Sequence, residues 1–270
     1  MHENTVTPAT RFILIEPSHA GNVGAAARAM KVMGFGDLVL VRPRWPNVLR
    51  RQETIQRASG ANDVLAAARC VQTLDEALDG MTHLCATVMT PRDFGPPTYA
   101  PREHFAKLLE KPTDVPQGVA LLFGCERFGM SNQDVYRCHA ALSIPTASDY
   151  GSLNLAAAVQ LIAYDWRQAL TKRFGSENPE KNARNSKIRP ENMPADAQQL
   201  AAMLEHWQGA LTDIGFLDPA APRKLMPRLQ QLFARTAPTH AEIHILRGIA
   251  RAMQKAAGIA GGAPNVGKRR

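Results

Sequence analysis

Residues 119–166 read VALLFGCERFGMSNQDVYRCHAALSIPTASDYGSLNLAAAVQLIAYDW, and this stretch decides the fold. An apolar run of strand length, 119–123, ends at Gly124, and a second run, 140–144, ends at Pro145. A polar loop follows each run. The carboxyl ends of buried parallel strands form ligand-binding crevices, and glycine lets a ligand approach the backbone closely. The stretch therefore predicts a ligand site built from two loops at neighbouring strand ends.

Strand-length apolar runs alternate with helical patterns through the preceding part of the chain. Predicted strands cover 11–16, 37–41, a short run at 70–72, and 83–88; predicted helices cover 22–33, 54–69, 74–78 and 102–109. Residues 90–101 are predicted to form a proline-rich loop. This alternation favours an α/β fold with an open, mostly parallel sheet and helices on both faces.

The chain changes character after the long helix that begins near Leu155. That helix has apolar residues at helical spacing, and Ser152 is its predicted N-cap. Residues 174–197 have few apolar side chains and three prolines, which predicts a linker. Only helical patterns follow, including a capping box at Thr239 and Glu242. Its helix has a predicted core face formed by Ile243, Leu246, Ile249 and Met253.

Composition narrows the class of partner. The 270 residues carry 32 Lys and Arg against 24 Asp and Glu, a net charge of +8, which favours a nucleic acid or an anionic membrane surface. No apolar stretch approaches membrane-spanning length and no signal region precedes the first strand, so we expect a cytoplasmic protein. The four cysteines form no C-x-x-C pair, which predicts free thiols and no metal-ligand cluster.

The first motif that can carry chemistry is Asn22-x-Gly24-x-x-x-Arg28, after the first strand. Gly24 and Arg28 are four residues apart and share a helix face, so the glycine is predicted to leave Arg28 room to reach a phosphate or an RNA hydroxyl. A tight strand–helix junction with a solvent-exposed arginine explains the pattern equally well. A nucleotide-binding oxidoreductase is disfavoured because Gly21 and Gly24 do not form G-x-G-x-x-G.

Two further motifs follow the later strands. In Gly124-x-Glu126-x-x-Gly129, Glu126 is a candidate to orient a basic group or to bind a ligand, and a surface acid is the alternative. Ser152-Leu153-Asn154 offers amides and a side-chain amide at a helix start, and plain helix capping is the alternative.

In this order, the three motifs resemble those of the SPOUT (SpoU/TrmD) RNA methyltransferases, TrmH-like branch, over residues 11–170. The resemblance implies a SPOUT fold in which roughly residues 119–163 form a deep trefoil knot, although knotted chains are rare. It also implies a homodimer that binds S-adenosyl-L-methionine in the knot.

The C-terminal pattern Phe233-x-Arg235-x-x-Pro238-x-x-x-Glu242 is similar to the helical extension of the TrmJ group. That resemblance implies methylation of the ribose 2′-hydroxyl of cytidine or uridine at position 32, in the anticodon loop of tRNA. Methylation of ribosomal RNA and a non-catalytic RNA-binding protein of the same fold are the alternatives. The implied organisation is a methyltransferase domain at 1–173, the linker at 174–197, a helical RNA-binding extension at 198–257 and a disordered basic tail at 258–270.

The resemblance also assigns site residues. The catalytic set is Arg28, Asn22, Glu126, Ser152 and Asn154, with Arg28 either a base or a charge stabiliser. The cofactor set is Thr87, Val88, Met89, Gly124, Ile144, Gly151, Ser152 and Leu153. The basic pattern of the sequence adds RNA-binding candidates, so that this set is Arg28, Arg42, Arg44, Arg50, Arg51, Arg247 and Arg251; for Arg247 and Arg251 a solvated helix face is the favoured alternative. No metal is expected. The chain departs from the family where Thr87-Val88-Met89-Thr90 replaces a run ending in arginine, where Cys125 replaces an arginine and where Gly151 replaces a serine.

Overall fold

The computed structural model describes residues 7–110, 115–175, 193–220 and 224–260. The chain divides into two compact units. The first is formed by Met1–Ile188 and Asp196–Gln198, and the second by Arg189–Ala195 and Gln199–Arg270. Each unit is described separately below.

The first unit contains a seven-stranded sheet in which every neighbouring pair is parallel. The strands are β1 (Ala9–Ile15), β2 (Asp37–Val41), β3 (Arg69–Val71), β4 (His83–Thr87), β5 (Thr98–Tyr99), β6 (Gly118–Phe123) and β7 (Ala140–Leu142). Their order across the sheet is β3-β2-β1-β6-β4-β7-β5, so β6 lies at the centre. This confirms the α/β class with a parallel sheet.

Helices cover both faces of the sheet, as parallel strands joined by crossovers require. They are α1 (Ala20–Val32), α2 (Gln52–Ala58), α3 (Asn62–Ala67), α4 (Leu74–Leu78), α5 (Pro101–Leu108), α6 (Asn132–Tyr136) and α7 (Leu155–Phe174), with a 3-10 turn at Val48–Arg50. Strand β1 shows the two faces directly. Phe12 and Leu14 enter one apolar core with α1, α5 and α7, whereas Ile13 and Ile15 enter the other with α4.

Helix α7 is held on the sheet by two polar contacts beyond its apolar face. The buried Trp166 donates its ring N–H to Thr10 Oγ1 on β1 at 2.8 Å. Arg167 donates to the carbonyl oxygens of Met33 at 2.6 Å and Gly34 at 3.0 Å, just past the end of α1. Arg167 therefore satisfies carbonyl groups that a helix end leaves unpaired.

Several predicted boundaries differ from the structure. Strand β1 ends at Ile15 because Glu16 has a left-handed φ of 51°. The single helix predicted at 54–69 is two helices, since Ser59 and Gly60 both have positive φ. Strand β7 stops at Leu142, two residues before its predicted end. The predicted proline-rich loop contains β5, which is only two residues long and pairs with β7 at the sheet edge.

The second unit consists of helices α8 (Ala197–Asp213, whose first two residues belong to the first unit), α9 (Leu225–Thr236) and α10 (His240–Ala260). The predicted capping box is confirmed: Thr239 N–H donates to Glu242 Oε2 at 2.7 Å, and Glu242 N–H donates to Thr239 Oγ1 at 3.3 Å. The predicted core face is partly wrong, because Ile249 is 45% exposed while Ala250 is fully buried.

Parts of the predicted linker and tail fall outside the described residues, at 176–192 and 261–270. Helix α10 continues to Ala260, so the first three residues of the predicted tail are helical. None of the helices in the described ranges combines the length and the apolar character that crossing a bilayer requires.

Gly24 marks the closest approach between two helices. A Cβ at this position would lie 2.0 Å from the carbonyl oxygen of Thr54 and 3.0 Å from the backbone N of Ala58, both on α2. Because these are backbone atoms, they cannot move aside without moving the helix. The prediction that Gly24 leaves room for Arg28 is therefore wrong: α2 fills the space beside the glycine.

We expect Gly24→Ala to lower the free energy of unfolding by about 1–3 kcal/mol, despite alanine's better helix propensity, because α1 and α2 must separate. Urea unfolding of the full chain measures this. Gly21→Ala is the matched control on the same helix, where the nearest atom to an added Cβ is the flexible Glu53 Oε1 at 2.6 Å. Equal stability of the two variants would contradict the close-packing explanation.

Candidate active site

The predicted site lies where two central strands end side by side. Strands β1 and β6 are neighbours, with Leu14 opposite Phe123 in the register. The loops that follow these strands therefore start next to each other. One loop carries Ser18 and His19 and leads into α1, and the other carries Glu126.

Glu126 joins these two loops. Its Oε2 accepts hydrogen bonds from Ser18 N–H at 2.9 Å and Ser18 Oγ at 2.7 Å. Its Oε1 accepts from Asn22 Nδ2 at 2.8 Å and from His19 N–H at 3.3 Å. With a side chain only 14% exposed, Glu126 is a local anchor for the start of α1.

The ionised form of Glu126 is strongly favoured. Burial by itself raises the pKa of this carboxyl, but the hydrogen bonds from Asn22 and Ser18 outweigh burial and lower the pKa to about 2. A group that is fully ionised near neutral pH does not exchange protons during a reaction there. Glu126 therefore acts by holding its donors in place; these are a hydroxyl, a side-chain amide and backbone N–H groups, whereas the predicted partner was a basic group or a ligand.

Asn22 extends the connection to the third motif. Its Oδ1 accepts from Asn154 Nδ2 at 2.9 Å, while its own Nδ2 donates to Glu126. Asn154 in turn accepts from the backbone N–H of Ala156 at 2.9 Å and is the N-cap of α7. The structure thus brings three predicted site residues, Asn22, Glu126 and Asn154, into one hydrogen-bonded chain.

The predicted N-cap at Ser152 is wrong, because Asn154 has that role. Ser152 is exposed, and its hydroxyl makes no hydrogen bond among the described residues. Asparagine and serine are both good N-cap residues, so the sequence Ser-Leu-Asn allowed either one.

The end of β4 supplies the first part of the predicted cofactor site. The Thr87 hydroxyl is buried and has no hydrogen-bond partner in the described structure. Val88 donates its N–H to Leu142 O at 2.9 Å and is 8% exposed, so it mainly packs. Met89 is 65% exposed. A buried hydroxyl without a partner is costly, and a ligand that hydrogen-bonds to it removes that cost.

Close backbone contacts shape the rest of the predicted cofactor site. A Cβ on Gly124 would lie within 2.3 Å of the backbone of Gly129 and Met130, so only glycine allows the loop to fold back here. A Cβ on Gly151 would lie 2.9 Å from Thr146 Oγ1. Ile144 is half-buried against the core, and Leu153 is 39% exposed.

Arg28 is not part of the hydrogen-bonded chain formed by Asn22, Glu126 and Asn154. The side chain of Arg28 is exposed and makes no hydrogen bond or ion pair with any described residue. It lies six positions after Asn22, so the two side chains leave α1 roughly 120° apart. Within one chain, Arg28 and the Glu126 network therefore face different directions.

The predicted basic segment is only partly free to bind a ligand. Arg42 is paired with Glu16 at 3.0 Å and donates to Gln72 O at 3.2 Å. Arg44 and Arg51 lie over the ring of Trp45, at 4.9 and 4.5 Å from its centroid. Arg50 is exposed and has no partner among the described residues.

The remaining predicted RNA-binding residues lie in the second unit. Arg247 is half-buried and Arg251 is exposed, both on α10. Neither forms an ion pair with a described residue.

Sequence reasoning missed Ser18 and His19, although both contact Glu126. Their position directly after β1 was the available signal, since loops at the carboxyl ends of parallel strands carry functional residues. The backbone N–H groups they contribute have no sequence signature.

Two families of known proteins match the chain. Residues 9–164 match the SpoU rRNA methylase family, and residues 198–261 match the C-terminal domain of the tRNA methyltransferase TrmJ. Over 249 residues, the chain is 43% identical to the tRNA (cytidine/uridine/adenosine-2′-O-)-methyltransferase TrmJ of Pseudomonas aeruginosa, with 92% of this chain and 94% of the relative covered. It is 38% identical to the tRNA (cytidine/uridine-2′-O-)-methyltransferase TrmJ of Pectobacterium atrosepticum, with 91% and 96% covered.

The chain is also similar to solved structures of methyltransferases. The crystal structure of TrmJ from Z. mobilis ZM4 superposes with a TM-score of 0.73 at 31% identity, covering 92% of this chain and all of that one. The crystal structure of a probable methyltransferase from Bordetella pertussis gives 0.56 at 44% identity, covering 60% of this chain and 96% of that one. The chain belongs to the SpoU methylase family and, within it, to the TrmJ group.

We expect Glu126→Gln to lower the free energy of unfolding at pH 7 by about 1–3 kcal/mol, because the neutral amide leaves buried donors without a full acceptor. Since the pKa of Glu126 is lower in the folded chain than its ordinary value of 4.5, its contribution is present above pH 4.5. It is lost as the pH falls toward about 2. Urea unfolding at several pH values measures this.

The exposed Glu110, whose carboxylate has no partner among the described residues, gives the control variant Glu110→Gln. The difference between wild type and Glu126→Gln should shrink on acidification, whereas that for the control should stay near zero. A Glu126 difference that does not change between pH 7 and pH 2.5 would disprove the assigned ionisation.

Proposed function

We propose that this chain is an S-adenosyl-L-methionine-dependent tRNA methyltransferase that modifies the ribose 2′-hydroxyl of cytidine or uridine at position 32. The observation that carries the proposal is the chain of hydrogen bonds from Glu126 through Asn22 to Asn154, which joins the three family motifs at the strand ends. The TrmJ-type second unit favours tRNA over ribosomal RNA, and the relatives named above are tRNA 2′-O-methyltransferases.

The loops after β4, β6 and β7 fit the proposed cofactor. The unpartnered Thr87 hydroxyl is a hydrogen-bonding group for a polar part of the ligand. Met89 and Leu153 are exposed apolar side chains, suited to cover a flat aromatic ring. Gly124 lets its loop fold back onto the backbone of Gly129 and Met130, which fixes the shape of the loop after β6. The deep trefoil knot at residues 119–163 stays a prediction of the family resemblance.

When bound, S-adenosyl-L-methionine would supply a sulfonium methyl group for in-line attack by the ribose 2′-oxygen; the S–CH3 bond would break to leave a neutral thioether, and the hydroxyl proton would pass to solvent water. The contribution of the protein is position, which is worth roughly 7 kcal/mol or more in well-oriented reactions. Glu126 and Asn22 fix the start of α1, and Asn154 fixes the start of α7. These residues hold the loops and do not need to exchange protons.

Arg28 is assigned to charge stabilisation. Arginine side chains stay protonated near neutral pH, so the guanidinium is suited to grip a phosphate and to stabilise the developing alkoxide. Since Arg28 points away from the Glu126 network of its own chain, we infer that it completes the site of a second copy. A homodimer with shared sites follows from this proposal. Exposed apolar residues on α1 and α7, namely Val32, Leu161 and Tyr164, are suited to its interface.

For RNA binding, we infer that the basic segment contributes through Arg44, Arg50 and Arg51, while Arg42 is held by Glu16. Trp45 fixes two of these guanidinium groups by cation–π contact, which lowers the entropy lost on binding a phosphate. Arg247 and Arg251 are the corresponding candidates on α10.

The full chain, incubated with S-adenosyl-L-methionine and unmodified tRNA, should yield a 2′-O-methylpyrimidine at position 32. Nuclease digestion and mass spectrometry of the nucleosides and oligonucleotides identify the base and its position. Methylation of ribosomal RNA but not tRNA would reject the substrate and keep the reaction class. Absence of methylation of both, with the cofactor bound, would favour the binding-protein alternative.

We expect Arg28→Lys to reduce the rate of methyl transfer about a hundredfold, the usual effect of losing one charge-stabilising donor, with cofactor affinity unchanged. Single-turnover kinetics and calorimetric titration of the cofactor measure the two quantities. Arg57→Lys, the same change at an exposed arginine of α2, should leave both unchanged. Near-normal turnover of Arg28→Lys would remove Arg28 from the mechanism.

A further inference from the structure

A cluster of nitrogen and sulfur atoms lies between β4 and α5. His83 and Cys85 are two residues apart on β4, so both face the same side of the sheet. Helix α5 brings His104 against them. His104 Nε2 is 3.1 Å from His83 Nε2 and 3.6 Å from Cys85 Sγ, and one ligand atom from each residue lies within 4.8 Å of the others.

Hydrogen bonding does not account for this arrangement. A ring nitrogen carries either one proton or one lone pair in the ring plane, so His104 Nε2 makes one well-directed hydrogen bond. It has two close neighbours, His83 Nε2 and Cys85 Sγ. Whichever tautomer is present, one of the two neighbours lacks a directed partner at His104. Three potential metal-ligand atoms therefore lie close together, although a single shared proton can link only two of them by a hydrogen bond.

The separations fit a tetrahedral metal ion. With Zn–N distances of about 2.0–2.1 Å and a Zn–S distance of about 2.3 Å, two ring nitrogens are separated by about 3.3 Å and a nitrogen and a sulfur by about 3.6 Å. The corresponding separations are 3.1 and 3.6 Å. The third pair, His83 and Cys85, lies within 4.8 Å, so these two side chains must approach each other by up to about 1.2 Å to reach the N–S separation of a zinc site.

The surroundings keep the ligand set in place. Cys85 is fully buried, His104 is 8% exposed and His83 is half-buried, so the cluster is enclosed yet reachable from one side. Tyr99 stacks on the His104 ring, with centroids 5.3 Å apart, and holds its orientation. Imidazole and thiolate together are the ligand types that favour zinc over magnesium or calcium.

Protonation states favour the two histidines and oppose the cysteine. Burial lowers the pKa of His83 well below its ordinary value, and burial lowers the pKa of His104 to about 4. Both rings are neutral near pH 7, which is the form that binds metals. Burial raises the pKa of the Cys85 thiol, so ion binding must release that proton to solvent. Lys107 is a nearby cation that lies over Tyr99 and also opposes the ion.

We propose that His83, Cys85 and His104 form a zinc site, with a fourth position taken by water. The ion replaces the thiol proton of Cys85 by an S–Zn bond and leaves both histidines neutral. Its role is structural, since it ties β4 to α5. Thr87, the nearest proposed cofactor residue on β4, lies two residues beyond Cys85, about 7 Å away at strand spacing, and faces the same side of the sheet. None of the three proposed ligands belongs to the residues assigned to methyl transfer, and the test below measures metal uptake and not activity.

The test uses the full chain, stripped of metal by dialysis against a chelator; separate samples are titrated with Zn²⁺ and with Co²⁺, because Co²⁺ does not displace bound Zn²⁺ from such a site. Cys70 is exposed and can bind metals unspecifically, so every sample carries Cys70→Ser. We expect uptake of one equivalent of Zn²⁺, with a higher midpoint of thermal unfolding. Co²⁺ should give visible bands of tetrahedral coordination and a thiolate-to-cobalt charge-transfer band.

The matched pair of variants is Cys85→Ser and Cys138→Ser, because both thiols are fully buried. Zn²⁺ affinity should fall at least about tenfold in Cys85→Ser, because mutating even a residue that only hydrogen-bonds to a metal ligand costs that much. Zn²⁺ affinity should not change in Cys138→Ser. His83→Gln, at the half-buried ligand, provides the same test if Cys85→Ser does not fold. No Zn²⁺ uptake, or equal uptake by all variants that fold, would overturn the proposal.

Discussion

The carboxylate of Glu126 is the interaction on which the arrangement of the site depends. It gathers donors from the loop that follows β1 and from the first turn of α1, although more than a hundred residues separate it from them in sequence. A carboxylate offers only acceptors, so every group around it must donate. Asn22 meets this demand on one side and accepts from Asn154 on the other. An aspartate at position 22 has no donor for Glu126, and an apolar residue has neither group, so the amide is what the geometry requires.

The parallel sheet was predictable because its strands are uninterrupted apolar runs, and β2 was predicted with its observed bounds. Glu126 was a candidate because it follows a central strand, but the sequence allowed a surface acid equally well, and its contacts with Ser18 and Asn22 are visible only in the structure. The interpretation of Gly24 was wrong because a glycine in a helix indicates a close approach but not its direction, and here α2 supplies the contact. The sequence predicted no metal-ligand cluster, and it gave no sign of the group formed by His83, Cys85 and His104, because α5 brings its members together across the chain and no fixed spacing links them. Strand β5 was missed for a similar reason: two residues carry no periodicity, and pairing with β7 defines them.

Arg28 lies apart from the Glu126 network of its own chain, and this is compatible with its proposed role in the site of a second copy. Its side chain is exposed and unpaired among the described residues, which is ordinary for a hydrated surface arginine and is also what a residue that acts on a second copy requires. The basic segment divides in a comparable way. Arg42 serves the fold through Glu16, and Trp45 positions Arg44 and Arg51. The positive charge alone does not distinguish an arginine that stabilises the fold from one that is placed to bind RNA, whereas the contacts of each guanidinium group do.

The strand order has a consequence for how the chain is made. Strand β4 pairs with β6 and β7, and β5 pairs with β7, so neither has a partner when it leaves the ribosome. Strands β1, β2 and β3 can already pair with one another. At a translation rate of about 5–20 residues per second, β6 is synthesised on the order of seconds after the apolar β4. During that interval the nascent chain exposes unpaired apolar strand edges, the feature that promotes aggregation and recruits chaperones. The central position of β6 therefore makes the rate of translation through residues 88–123 relevant to the yield of folded protein.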